Sequence, residues 1–220
     1  MKIIKVDASV TASNDRDAAA LRARLKEKGT LMVNVMSAAG SGKTTLLSRL
    51  IRDMRETKIA VMEADIASDV DAVKIEQLGA KAVQVHTSGM CHMDAGMTAA
   101  ALEGLDAGDA DLVFLENVGN LICPAEYDTG AGLDLMLLSV PEGDDKPLKY
   151  PLMFQKSDAL VITKTDALPY FNFDVALCEE RAKKLNPAIR IFPVSAKTGE
   201  GMDALEQWLQ SRLSAWKEEV

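Results

Sequence analysis

The run "VNVMSAAGSGKTTLL" constrains this chain more than any other stretch of its 220 residues. A strand-like apolar segment gives way to small residues and glycines, then to Lys43-Thr44 and a leucine-bearing helical pattern. A backbone that turns this sharply from strand to helix aims several N–H groups at one point, the helix N-terminus, where an anion is stabilised. Gly40 and Gly42 permit the turn, Lys43 reaches the β- and γ-phosphates of a nucleotide, and the Thr44 hydroxyl ligates Mg²⁺. Ala39, Gly40, Ser41, Gly42, Lys43, Thr44 and Thr45 are therefore expected to hold the phosphates. One position departs from the pattern G-x-x-x-x-G-K-[ST]: Ser37 stands where the first glycine belongs. A small residue can start the loop if its φ stays negative. A glycine-rich turn with no ligand would explain Gly40 and Gly42 but not Lys43-Thr44.

The rest of the chain supplies the context such a loop requires. Strand-like runs are expected at 31–36, 58–63, 82–86, 111–116, 135–140, 159–164 and 189–195, with helical patterns at 43–55, about 70–78, 94–105, 173–185 and 201–217. Alternation of this kind predicts an α/β fold, a mostly parallel, doubly wound sheet flanked by helices. Before the first strand, "SNDRDAAALRARLKEKG" reads as a helix capped by Ser13 or Asn14, with Leu21 and Leu25 on one face and Gly29 as its stop. Residues 1–30 are thus expected to be an N-terminal extension with one helix, and 31–220 a nucleotide-binding domain. "PEGDDKPLKYP" (141–151) is the most polar, proline-rich insertion and reads as a surface excursion.

Composition narrows the function. A net charge of −8 and a pI near 4.9 lack the basic footprint of a general nucleic-acid binder. The apolar runs fall far short of the roughly 18 residues a membrane span needs, and "MKIIKVDASV" carries no secretory pattern. A cytoplasmic chain with no nucleic-acid or membrane partner is expected. Its three cysteines, Cys91, Cys123 and Cys178, are then reduced, and an unusual one is better read as catalytic or metal-binding.

A carboxylate at the end of a neighbouring strand should hold the hydrated Mg²⁺, and both Asp65 and Glu116 fit. Glu116-x-x-Gly119 has the form of a nucleotide-sensing switch in which Gly119 presents its N–H to the γ-phosphate. Asp71, in "DIASDVDA", is the residue expected to position the attacking water, and Asp69 reads as a helix cap. The base is addressed by "VITKTDAL": Asp166 can accept two hydrogen bonds from guanine N1–H and the 2-amino group, which adenine cannot supply. The Lys164 stem would lie along the base, and Thr163 replaces the usual asparagine, weakening the loop's tether. Ser195-Ala196-Lys197 forms a second guanine-facing loop after the next strand. The three motifs in this order, each after a strand, point to GTP.

"VQVHTSGMCHMDAG" places a thiol beside an imidazole, Cys91 and His92. Taken alone the pair could be core neighbours, a nucleophile with its base, or metal ligands. At this point the chain resembles the hydrogenase nickel-incorporation GTPases, the HypB family of SIMIBI-type P-loop NTPases. The resemblance runs from about residue 30 to the C-terminus and is carried by "GSGKTTLL", "DIASDVDA", "GMCHMDAGM", "ENVGNLICP", "EGDDKPLKYPLMF" and "TKTDALPY". It implies a GTP hydrolase that binds Ni²⁺ or Zn²⁺ through Cys91, His92 and Cys123 at a homodimer interface formed with GTP. It also implies a hydrogenase maturation partner and a hydrogenase large-subunit precursor as recipients. Some members carry an N-terminal Cys-rich or His-rich stretch; residues 1–30 hold neither residue type. Thiolate and imidazole suit nickel and zinc, and Cys123 follows Glu116 by seven residues, so γ-phosphate sensor and metal ligand share one loop. Cys178 and His86 are read as structural. Rival readings are a urease-type maturation GTPase, a P-loop kinase of a small molecule, and a metal-binding module with a vestigial NTPase site.

Overall fold

The computed structural model describes residues 7–65, 74–106 and 108–219, with the side chains of 7–11 and Asp65 left out of the description. Seven strands form one sheet: β1 (Leu31–Ser37), β2 (Ile59–Asp65), β3 (Lys81–His86), β4 (Leu112–Glu116), β5 (Leu133–Ser139), β6 (Ala159–Thr163) and β7 (Arg190–Pro193). Their order is β3-β2-β4-β1-β5-β6-β7, and all six pairings are parallel. Every residue of β1, β4 and β6 is buried, as near-continuous apolar runs require when helices cover both faces. The edge strands β3 and β7 are only partly covered.

Seven α-helices lie wholly within the described residues: α1 (Asp7–Glu27), α2 (Lys43–Asp53), α3 (Ala95–Leu105), α4 (Lys146–Lys149), α5 (Pro151–Lys156), α6 (Val175–Leu185) and α7 (Met202–Glu218). Leu46, Leu47 and Leu50 of α2, with Leu205, Leu209 and Leu213 of α7, pack on one face of the sheet. On the other face Leu21 and Leu25 of α1 join Ala101 and Leu105 of α3, while Met153 and Phe154 of α5 join Cys178 and Ala182 of α6. Among the described residues no helix is long and apolar enough to cross a membrane.

Local signals explain most boundaries. Asp94 caps α3 by accepting from Met97 N at 2.8 Å, and Asp174 caps α6 by accepting from Leu177 N at 3.0 Å. Gly29 ends α1 with φ 66°, its N–H bonding Lys26 O while Thr30 N–H reaches back to Leu25 O.

One local expectation fails and another gains detail. First, α1 runs through Ser13 and Asn14 instead of starting there, since nothing in "DASVTAS" interrupts a helix. The Asn14 side chain serves other segments: it accepts from Ala95 N at 2.9 Å and donates to Asp128 O at 2.8 Å. Second, the 141–151 stretch lies at the surface and is largely helical. Its Asp144 accepts from Arg181 Nη1 at 2.6 Å and from Asp174 N at 2.8 Å, pinning the stretch to α6. Of the expected 70–78 helix, residues 74–76 are helical and 70–73 lie outside the described residues.

Candidate nucleotide and metal site

The strand order reverses around β1, flanked by β4 and β5, and ligands in open α/β sheets bind at the carboxyl ends of strands at such a point. The 37–44 loop sits there. Gly40 and Gly42 adopt φ of 75° and 96°, a region glycine enters at no steric cost. Ser37 completes β1 as an ordinary strand residue, and its Oγ lies 3.2 Å from Lys43 Nζ, so the missing glycine is replaced by a hydrogen-bond partner for the lysine. Lys43 opens α2 and is 9 % exposed.

Thr44 Oγ1 donates to Glu116 Oε1 at 3.0 Å, which brings together the two groups expected to share Mg²⁺. A Cβ on Gly119 would stand 2.9 Å from the backbone of Ala39, so only glycine lets this loop lie against the phosphate loop. The open cleft between these loops, about 440 Å³, is lined by Lys43, Thr44, Glu63, Lys74, Glu116, Asn117 and Gly119, among others. Glu63 and Lys74 were not anticipated. Glu63 pairs in register with Glu116 across β2 and β4 and is 4 % exposed; an acid inside the apolar run "IAVME" was its only sequence signal. Asp65 closes β2 in the same register row as His86, while Asp69 and Asp71 lie outside the described residues.

On the other side of the phosphate loop, a second cavity of about 220 Å³ is lined by Ser41, Thr45, Thr163, Lys164, Asp166, Ala196 and Lys197, with three neighbours. Thr163 Oγ1 donates to Ser41 O at 2.7 Å within the core, so threonine retains one tether to the phosphate loop. Lys164 takes a left-handed conformation with φ 61° and spans Gly42 to donate to Gly40 O at 2.7 Å. Asp166 Oδ1 accepts from Ser195 Oγ at 2.7 Å, and Lys197 Nζ lies 3.8 Å from Asp166 Oδ2. The carboxylate is thereby held facing the cavity between the two loops that sequence reading assigned to guanine.

The metal candidates also converge. Cys91 Sγ, a ring nitrogen of His92 and Cys123 Sγ all lie within 4.8 Å of one another, the sulfurs 2.7 Å apart. The first two precede α3 and the third opens the turn 123–125, so loops after β3 and β4 meet. His92 stacks on Tyr127 at 3.8 Å with the rings 10° from parallel. Burial lowers its pKa, leaving the imidazole neutral and able to coordinate at pH 7. Contact with Cys91, then burial, raises the Cys123 thiol, so a metal must displace a proton to bind. Asn120 Nδ2 donates to Cys123 Sγ at 3.3 Å, and its Oδ1 accepts from Ile122 N at 2.8 Å. Two sulfurs and one nitrogen are one short of a closed tetrahedral shell. Met90 and Ile122, beside the ligands, are exposed. Cys178 is fully buried, its thiol pushed up to about 12 by burial, and His86 ends β3 on the surface.

These features define the class: a P-loop nucleotide-binding α/β protein with a Cys-His-Cys cluster on the loops after β3 and β4. A sequence profile described as the CobW/HypB/UreG nucleotide-binding domain matches residues 31–193. Hydrogenase maturation factor HypB of Azotobacter chroococcum is 43 % identical over 97 % of this chain and 70 % of its own length. The hydrogenase/urease maturation factor HypB of Helicobacter pylori is 40 % identical over 94 % of this chain and 87 % of its own. A crystal structure of H. pylori HypB in complex with nickel superposes with a TM-score of 0.88 at 39 % identity, covering 92 % of this chain and 96 % of that one. The chain belongs to the CobW/HypB/UreG family and, within it, to the HypB maturation factors.

Proposed function

We propose that this chain is a GTP-hydrolysing metallochaperone that binds Ni²⁺, or Zn²⁺, through Cys91, His92 and Cys123 at the interface of a GTP-dependent homodimer. The metal is then passed, with a maturation partner, to the precursor of a nickel–iron hydrogenase. The observation that carries this reading is one continuous loop. Glu116 touches Thr44, Gly119 lies on Ala39, and four residues later Cys123 stands among the metal ligands. A loop reset by γ-phosphate loss displaces a metal ligand directly.

Each residue then has a role. Ala39 to Thr45 hold the phosphates, with Lys43 on the β- and γ-phosphates. Thr44 and Glu116, with Asp65, would hold Mg²⁺, which would supply positive charge to the transferring phosphoryl group. Thr163, Lys164, Asp166 and the 195–197 loop read guanine. Asp71 positions water, and Gly119 senses the γ-phosphate. Intrinsic turnover should be slow, on the order of 10⁻⁴ to 10⁻² s⁻¹, as in switch GTPases without an external activator. Thiol ligands need the reducing conditions of the cytoplasm. A urease-type acceptor is the second reading, favoured by the name of the H. pylori relative, a hydrogenase/urease maturation factor.

Titrating Ni²⁺ into the protein saturated with GDP or with a non-hydrolysable GTP analogue tests the central link. Affinities that differ between the two states support it. Identical affinities would show that nucleotide and metal sites are merely neighbours.

A further inference from the structure

The continuous loop explains how the nucleotide reaches Cys123, but Cys91 and His92 sit on a different segment. If only the 116–123 loop moved, one ligand would leave the other two behind. A buried amide joins the segments. Asn117 is 0 % exposed, next to Glu116, and its Oδ1 accepts from Met93 N at 3.2 Å and from Val118 N at 2.9 Å. Its Nδ2 donates to Asn34 Oδ1 at 3.0 Å, and Asn34 Nδ2 donates in turn to Asp134 Oδ1 at 2.8 Å. Its own N–H reaches Val35 O at 3.0 Å. One side chain therefore ties the γ-phosphate side of the loop to the residue after His92, and both to the strand that carries the phosphate loop.

Such a bond set constrains motion. Buried polar groups hold their partners because an unmet one loses its solvation with no return. Met93 is itself 0 % exposed, so water cannot substitute for Asn117 at its N–H. A shift of residues 116–119 must either carry the Met93 amide along or leave it unmet. We propose that Asn117 is a positioning residue that makes the Cys91–His92 segment follow the nucleotide-sensing loop, so that all three metal ligands respond together. This rests on the reading that nucleotide state controls metal affinity at this site.

The test measures Ni²⁺ affinity of the full chain with GDP and with a non-hydrolysable GTP analogue, and takes the ratio of the two. Coupling of this kind is typically 5- to 150-fold, so a wild-type ratio on the order of tenfold is expected. Asn117 also lines the nucleotide cleft, so each affinity is measured at saturating nucleotide, and in Asn117→Ala the ratio should fall below about twofold. The thiolate-to-nickel absorption band should then stop changing with nucleotide, which a general loss of stability would not produce. A wild-type ratio of one defeats the coupling reading itself, and the relay with it. A coupled wild type with an equally coupled Asn117→Ala overturns the relay alone. Should that variant not fold, Asn34→Ala removes the side-chain bond that orients the Asn117 amide on β1 and should at least halve the ratio; an unchanged ratio counts against the relay. A third measurement needs no variant: amide exchange at Val118 and Met93 should change together when the analogue replaces GDP. Change at Val118 with Met93 unmoved overturns the proposal.

Discussion

The corner proposed to read the base and the corner proposed to hold the metal are built on opposite terms. At the base-reading corner, loops from three strands are laced together by short bonds: Thr163 to Ser41, Lys164 to Gly40, Ser195 to Asp166. At the metal corner the candidate ligands come from two loops tied in part through asparagines, Asn117 to the Met93 amide next to His92 and Asn120 to Cys123. The first arrangement holds one geometry and suits selection of a ligand. The second leaves ligand positions dependent on a loop that also touches the nucleotide cleft, which suits a cargo that must be taken up and released.

The largest effect should come from the rigid corner. Asp166→Asn reverses the hydrogen-bond demand on the base, so preference should move from GTP toward XTP by on the order of 10⁴-fold, as when a built polar site meets the wrong partner. Competition binding with GTP, XTP and ATP measures it. Equal GTP and ATP affinity in the wild-type protein would leave that corner without its assigned role.

At the metal corner, Cys91→Ala, His92→Ala and Cys123→Ala should each weaken Ni²⁺ binding by more than the roughly 10- to 100-fold lost when a ligand's supporting hydrogen bond is removed. Cys178→Ala is the internal control, since its thiol lies in the α6 core and should change metal affinity within error. The pH dependence has a definite sign. Cys123 is shifted upward and must lose its proton to bind, so affinity should rise with pH across the neutral range, up to about tenfold per unit for each proton released. Flat affinity between pH 6.5 and 8 would mean the thiol is not a ligand.

The smallest effect should fall on the support. Asn120→Ala removes the bond to Cys123 Sγ and leaves all three ligands, so about a tenfold loss is expected at the metal with guanine selectivity untouched. A loss equal to that of Cys123→Ala would instead mean that Asn120 holds the whole loop.

Much of this contrast was legible in the sequence because it is local. The seven strands are short apolar runs between breakers, the phosphate loop is a contiguous pattern, and the cysteines and histidine stand in quotable motifs. What was hidden depends on pairing between distant segments. Nothing in the chain says that β4 inserts between β1 and β2, yet that insertion puts Glu63 opposite Glu116 and Asn117 beside Asn34. An asparagine in "ENVG" reads as a loop residue, and one in "LMVNVM" as a flaw in a strand, until the two are seen to satisfy each other. The helical form of the 141–151 stretch was hidden for the same reason: Asp144 bonds to Arg181 and to the amide of Asp174 at the start of α6.

The central claim is that nucleotide and metal act on one loop and meet at one dimer interface. Light scattering on the wild-type protein and Cys123→Ala, each with GDP or a non-hydrolysable GTP analogue and with or without Ni²⁺, tests it most directly. The wild-type mass should double with the analogue, at lower protein concentration when Ni²⁺ is present, and the Ni²⁺ effect should vanish in Cys123→Ala. A wild-type protein that keeps one mass in all four conditions, or a Cys123→Ala variant that responds to Ni²⁺ as wild type does, would contradict it.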